Sequence, residues 1–180
     1  MNYGLLGLFS LTQTGIMGSY LLSIFHGFVS ALLFIIIGMI YERYKTRNIF
    51  YIRSISIFAP LLSVIFFLGN LMNMGFPGTA NFIGEIMIFM GVFESNIIVG
   101  IYCLLPLFFT AIYSFWLFTR TAMGNYQKFP NLPIKKINDM SRRELLITLP
   151  LLIITIFFGL KPEIIMDFVE NNLNLIPPTK

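Results

Sequence analysis

Apolar residues run along this chain in long blocks separated by short polar intervals. Residues 16–41, 97–119 and 144–160 are each apolar over about the 17–25 residues that a helix needs to cross a bilayer core. Residues 1–10 are apolar but much shorter, and predict the end of a membrane helix rather than a crossing. Leu11-Thr12-Gln13-Thr14-Gly15 predicts a turn after it. Polar loops are expected at 42–53 and 120–143, with a tight turn at Glu94-Ser95-Asn96. Pro130 and Pro133 argue against a continuous helix through the longer loop. Ser141 followed three residues on by Glu144 fits a capping box that opens the last crossing. Lys161-Pro162 closes that crossing and starts a tail, 161–180. Within the tail, Ile164, Ile165, Phe168, Val169 and Leu173 interleave with Asp167 and Glu170, as in an amphipathic helix for a membrane surface or a neighbour.

One block breaks this rhythm. Residues 54–93 are apolar at both ends and interrupted in the middle by Asn73-Met74-Gly75-Phe76-Pro77-Gly78-Thr79. Pro77 lacks an N–H and clashes with a preceding helical turn, while Gly75 and Gly78 make helical backbone costly. The stretch is therefore expected to be one crossing in two pieces. Inside hydrocarbon such an interruption survives only where protein or a wet cavity satisfies the freed backbone groups.

Composition turns these blocks into a class. The chain is 57% hydrophobic and 11% charged, against roughly 25% charged in soluble domains. That is too little charge to cover a water-facing surface, so an all-α integral membrane protein is expected. With four crossings, the loops 42–53 and 120–143 share one side and hold ten of the twelve Lys and Arg. The positive-inside rule assigns them to the electrically negative, matrix or cytoplasmic, side. The net charge of +4 is thereby explained by topology, and no nucleic-acid partner is expected. The single cysteine, Cys103, excludes an internal disulfide and reads as packing. No basic segment of the signal-peptide kind opens the chain. The abundance of Phe, Ile and Asn fits an AT-rich, organellar genome.

Two readily titrating groups lie well inside apolar blocks, His26 and Glu85. Placing an acid at membrane depth costs roughly 2.5–3.5 kcal/mol on insertion scales, so Glu85 needs a compensating reason. It follows the break, with Asn81 four residues before it on the same helical face. One reading is a proton-loading carboxyl; the other is a structural acid capping the half-helix that starts near Asn81. His26 has Ser19, Ser23 and Ser30 on one stripe of its helix. An imidazole, with a reference pKa of about 6.5, exchanges protons near neutrality, and flanking hydroxyls can hold a file of waters. The alternative is small serines packing against another helix. A lone His26 makes no metal site. Gly75, Gly78 and Gly84 have neither the spacing nor the Lys of a phosphate loop. Tyr113 and Trp116 suit interface anchors.

Four runs, taken together, carry a resemblance: Ser23-Ile24-Phe25-His26-Gly27-Phe28-Val29-Ser30, Tyr41-Glu42-Arg43-Tyr44-Lys45-Thr46-Arg47, Phe76-Pro77-Gly78-Thr79-Ala80-Asn81-Phe82-Ile83-Gly84-Glu85 and Ser141-Arg142-Arg143-Glu144. In order and spacing over nearly the whole chain, the sequence resembles the C-terminal part of the chain-4 type of antiporter-like membrane subunit in mitochondrial NADH:ubiquinone oxidoreductase, respiratory complex I. The resemblance implies the C-terminal part of an antiporter-like helical bundle with a discontinuous helix: the end of helix ten, then helices eleven to fourteen. Glu85 matches the acid of the broken twelfth helix, where chains 2 and 5 usually carry lysine. His26 matches the histidine of the eleventh helix. Both belong, in that family, to the half-channel by which a proton leaves toward the positive side. The family also has a first repeat with a glutamate–lysine pair and a central lysine, which these residues do not include. A subunit in two pieces is expected, with the N-terminal half on a separate chain, beside lipids and other complex I membrane subunits such as chains 2 and 5. The resemblance implies the mitochondrial inner membrane and no cofactor on this chain, with NADH, FMN, Fe–S clusters and ubiquinone elsewhere in the complex. A multi-chain sodium/proton antiporter subunit and a non-conducting structural subunit are the alternatives.

Overall fold

Thr12 decides where the first helix stops and the second starts. Its hydroxyl accepts the Gly15 N–H at 3.2 Å, so α2 (Gln13–Tyr44) begins three residues earlier than expected. α1 (Asn2–Phe9) is the short piece before it. At its other end α2 stops at Lys45, which is left-handed at φ +54° and donates its N–H to the Tyr41 carbonyl. The polar loop therefore starts at 45 rather than 42 and holds a 3-10 turn, Ile49–Tyr51. This computed structural model describes residues 2–124 and 138–173, and its described elements are helical.

The interrupted block falls into three pieces, not two: α3 (Ile55–Phe58), α4 (Pro60–Asn73) and α5 (Ala80–Ser95). Pro60 stands at the start of α4, where its missing N–H is harmless. α6 (Ile97–Ala122) follows at once, its first turn capped by Asn96, and continues through Pro106. The expected turn at 94–96 shrinks to that one cap. α7 (Arg142–Leu160) opens with the capping box: Glu144 N–H donates to Ser141 Oγ, and Ser141 N–H to Glu144 Oε2. The 120–143 loop is thus shorter at both ends than expected. Lys128, Pro130, Pro133, Lys135 and Lys136 lie outside the described residues, as do Met1 and 174–180 of the tail. α8 (Glu163–Leu173) turns Ile165 and Met166 toward Leu21 and Phe25, and leaves Ile164 and Phe168 exposed.

α2, α6 and α7 are long and apolar enough to cross a membrane. α4 and α5, at 14 and 16 residues, rise roughly 21 and 24 Å at 1.5 Å per residue, each short of a core about 30 Å thick. Only in series do they cross it, which puts the break at membrane depth. α5 packs most extensively on α2, and the two meet on bare backbone. A Cβ on Gly18 would lie 2.8 Å from the Ile88 nitrogen, and one on Gly91 2.6 Å from the Gly15 Cα. Small residues at such crossings let the backbones approach closely. The largest buried cluster, with Leu32, Ile36, Ile55 and Leu62 at its centre, joins α2, α3, α4, α6 and α7 toward the basic end.

That end is fastened by polar groups. Arg43 grips Glu144 with two bonds of 2.9 Å, and its remaining N–H groups reach the carbonyls of Asn138, Asp139 and Met39. Asp139 in turn accepts the N–H groups of Leu61 and Leu62, at 3.0 and 3.2 Å. α4 has no side-chain cap of its own; a residue from the stretch before α7 supplies it.

Candidate functional site: the broken helix and its carboxyl

α4 ends as glycine dictates. Gly75 sits left-handed at φ +69°, its N–H donates to Met72 O, and Phe76 N–H donates to Leu71 O at 3.1 Å. This pair of bonds is a Schellman motif, which satisfies carbonyls that a helix end leaves free. Phe76-Pro77-Gly78-Thr79 then closes a tight turn, with Thr79 N–H on Phe76 O at 3.1 Å and Gly78 at φ +95°. Proline at the second position and a positive-φ glycine at the third are what a type II turn requires. The residues of the expected break, Gly75, Pro77 and Gly78, thus each have a defined place in it.

Asn81 staples the two halves. It is buried in the first turn of α5 and donates from Nδ2 to Met72 O of α4 at 3.1 Å. Its Oδ1 is buried and has no hydrogen-bond partner among the described residues. Glu85, one turn further on, is partly buried. Its carboxyl lies directly against Gly75: a Cβ there would fall on Oε2 and 2.9 Å from Cδ. A side chain at Gly75 would displace the carboxyl, and the left-handed backbone there itself favours glycine. Asn81 and Glu85, the polar side chains in the first two turns of α5, therefore reach back to the end of α4.

α7 closes the other side. Thr155, fully buried, donates to Met72 Sδ at 3.1 Å. A Cβ on Gly159 would lie 2.6 Å from the Thr79 carbonyl carbon, so α7 abuts the turn itself. From α1, Tyr3 comes within electrostatic reach of Glu85, sets its ring on Phe89 with centroids 5.6 Å apart, and donates its hydroxyl to Cys103 O. Tyr3, Met72 and Thr155 were not among the residues singled out by the sequence. Their place depends on which helices meet, which the sequence pattern does not decide.

The α2 stripe is arranged differently. Ser19 is buried, His26 and Ser30 are half-buried, and Ser23 is exposed. Each serine donates to its own helix: Ser19 to Gly15 O, Ser23 to Ser19 O, Ser30 to Gly27 O. Their oxygens remain free to accept. No hydrogen bond joins His26 to Glu85 among the described residues. The structure thus gathers Glu85, Asn81 and the break, and leaves His26, Ser23 and Ser30 on a neighbouring face. No cluster of His, Cys, Asp and Glu fit to hold a metal occurs among the described residues.

Fold and site define a class: a multi-pass α-helical membrane protein built around a discontinuous helix that carries an acid beside its break. The family described as the transmembrane NADH:quinone oxidoreductase/Mrp antiporter matches residues 1–112, and the chain belongs to that family as an antiporter-like membrane subunit of the complex I type. NADH-ubiquinone oxidoreductase chain 4 of Marchantia polymorpha is 40% identical over 174 residues, 97% of this chain and 34% of the relative. NADH-quinone oxidoreductase subunit M of Rickettsia typhi is 34% identical over 177 residues, 96% of this chain and 35% of the relative. A chain of respiratory complex I from Thermus thermophilus with bound NADH matches with a TM-score of 0.81 and 25% identity, over 89% of this chain and 33% of that one. The chain therefore spans about a third of the length of the relatives it matches.

Proposed function

We propose that this chain is the C-terminal, proton-translocating portion of a chain-4-type subunit of respiratory complex I in the mitochondrial inner membrane. Glu85 is its proton-loading group. His26, with the acceptor oxygens of Ser23 and Ser30, relays protons to it through water, and Asn81 lies beside the loading point. The helices that the relatives carry beyond this stretch, on the same or a separate polypeptide, complete the path next to lipids and other complex I membrane subunits. The chain binds no cofactor; NADH, FMN, Fe–S clusters and ubiquinone act elsewhere, and their energy arrives as a change in local electrostatics. The observation that carries this reading is the Glu85 carboxyl resting on Gly75 at a capped helix break. An acid placed there at a cost of roughly 2.5–3.5 kcal/mol marks an ion path rather than packing.

The test is Glu85→Gln in the assembled complex. Assembly and NADH oxidation persist, while protons pumped per electron fall. Normal pumping in that variant removes Glu85 from the path. One observation favours a non-conducting, structural subunit instead: the serine hydroxyls donate to their own helix. Sodium-dependent transport without NADH dependence would point to an antiporter of the Mrp kind, which the same family includes.

A further inference from the structure

The orphaned Asn81 oxygen calls for a donor. A buried acceptor without one costs about 1–3 kcal/mol, and native interiors rarely leave such groups unpaired. Asn81 is 2% exposed. Its amide orientation is fixed by Met72 O, an acceptor that only Nδ2 can meet. Four donors near the break are already engaged: the Thr79 hydroxyl on Phe76 O, Gly75 N–H on Met72 O, Asn70 Nδ2 on Phe66 O, and Thr155 on Met72 Sδ and its own helix. Glu85 stands one turn along the same face, and its carboxyl reaches the same α4 turn, three residues beyond Met72. A carboxylate only accepts hydrogen bonds; a protonated carboxyl donates one.

We infer that Asn81 Oδ1 is the acceptor for the proton carried by Glu85, reached directly or across one water, which makes Asn81 a positioning residue for that proton. When Glu85 gives the proton up, the matching group becomes Asn81 Nδ2, because an ionised carboxyl needs a donor. Turning the amide to supply it releases Met72 O from its side-chain donor and leaves it to the backbone N–H groups of the helix end. Loading and unloading of Glu85 thus change the hydrogen bonding that ties α5 to α4.

This inference rests on the reading of Glu85 as a proton-loading group, and its test separates the two. In the assembled complex, the infrared carbonyl band of protonated Glu85 is the one lost in Glu85→Gln. Asn81→Leu and Asn81→Ala, which remove the acceptor, are expected to shift that band, to change the protonation equilibrium of Glu85 by roughly tenfold for a lost hydrogen bond of this kind, and to lower protons pumped per electron. Asn81→Ser keeps an acceptor oxygen and is expected to return the band toward its native position and restore much of the pumping. If leucine prevents assembly, alanine and serine make the same comparison. A Glu85 band at one position in all three variants overturns the role of Asn81 and leaves that of Glu85 standing. Normal pumping in Glu85→Gln overturns the underlying reading instead.

Discussion

The two polar regions of this apolar chain are built on opposite plans. At the basic end, Arg43, Asp139 and Glu144 are heavily cross-bonded: the guanidinium has five bonds to four residues, and the Asp139 carboxylate three. At the break, Asn81 uses its donor and leaves its acceptor idle, and Glu85 rests against a glycine. A fully satisfied network holds one arrangement; a half-satisfied one has somewhere else to go. Polar residues in a membrane helix are therefore read best by how completely they are partnered. The clasp fixes the bundle, and the break keeps an unpartnered acceptor among the described residues.

Substitutions can sharpen or break that contrast. The largest effect is expected for Gly75→Ala, where a Cβ would meet the Glu85 carboxyl on left-handed backbone. Strain and overpacking together should cost roughly 2–4 kcal/mol and depress pumping as well, measured as the melting temperature of the complex and protons per electron. Arg43→Ala should come next, at about 3 kcal/mol for a partly buried pair with one member removed. Pumping per electron in the complexes that remain should be normal, and a fall would mean the clasp also governs the break. Asp139→Ala should cost about 1–2 kcal/mol through the lost cap of α4, again without changing pumping per electron. The smallest effects are expected from Ser23→Ala and Ser30→Ala, within about 0.5 kcal/mol in stability. If those oxygens hold relay waters, pumping falls; if it does not move, His26 acts without them.

Much of the site could be read from the sequence, because glycine and proline announce their geometry locally. Gly75 and Gly78 take the positive φ angles that other residues avoid, and the Ser141–Glu144 box closes three residues apart. The division between α3 and α4 was not anticipated, although a proline at a first helical position, as Pro60 is, favours a helix start. The clasp could not be read, since Arg43 and Glu144 are 101 positions apart and only folding brings them together. Nor could the engagement of the serines with their own helix, a local choice between carbonyl and water that spacing does not decide.

The bare-backbone crossing of α2 and α5 has a mechanical consequence. Gly91 lies against Gly15, and Gly18 against the backbone of Gly84 and Ile88, so α5 sits backbone to backbone on α2 with little room to shift toward it. If the Glu85 carboxyl changes charge as proposed, the accompanying shift is expected on the other side, in the glycine-hinged tether and the end of α4. On that reading the acid is mounted on the stator, and the moving part is the stretch of backbone it leans on.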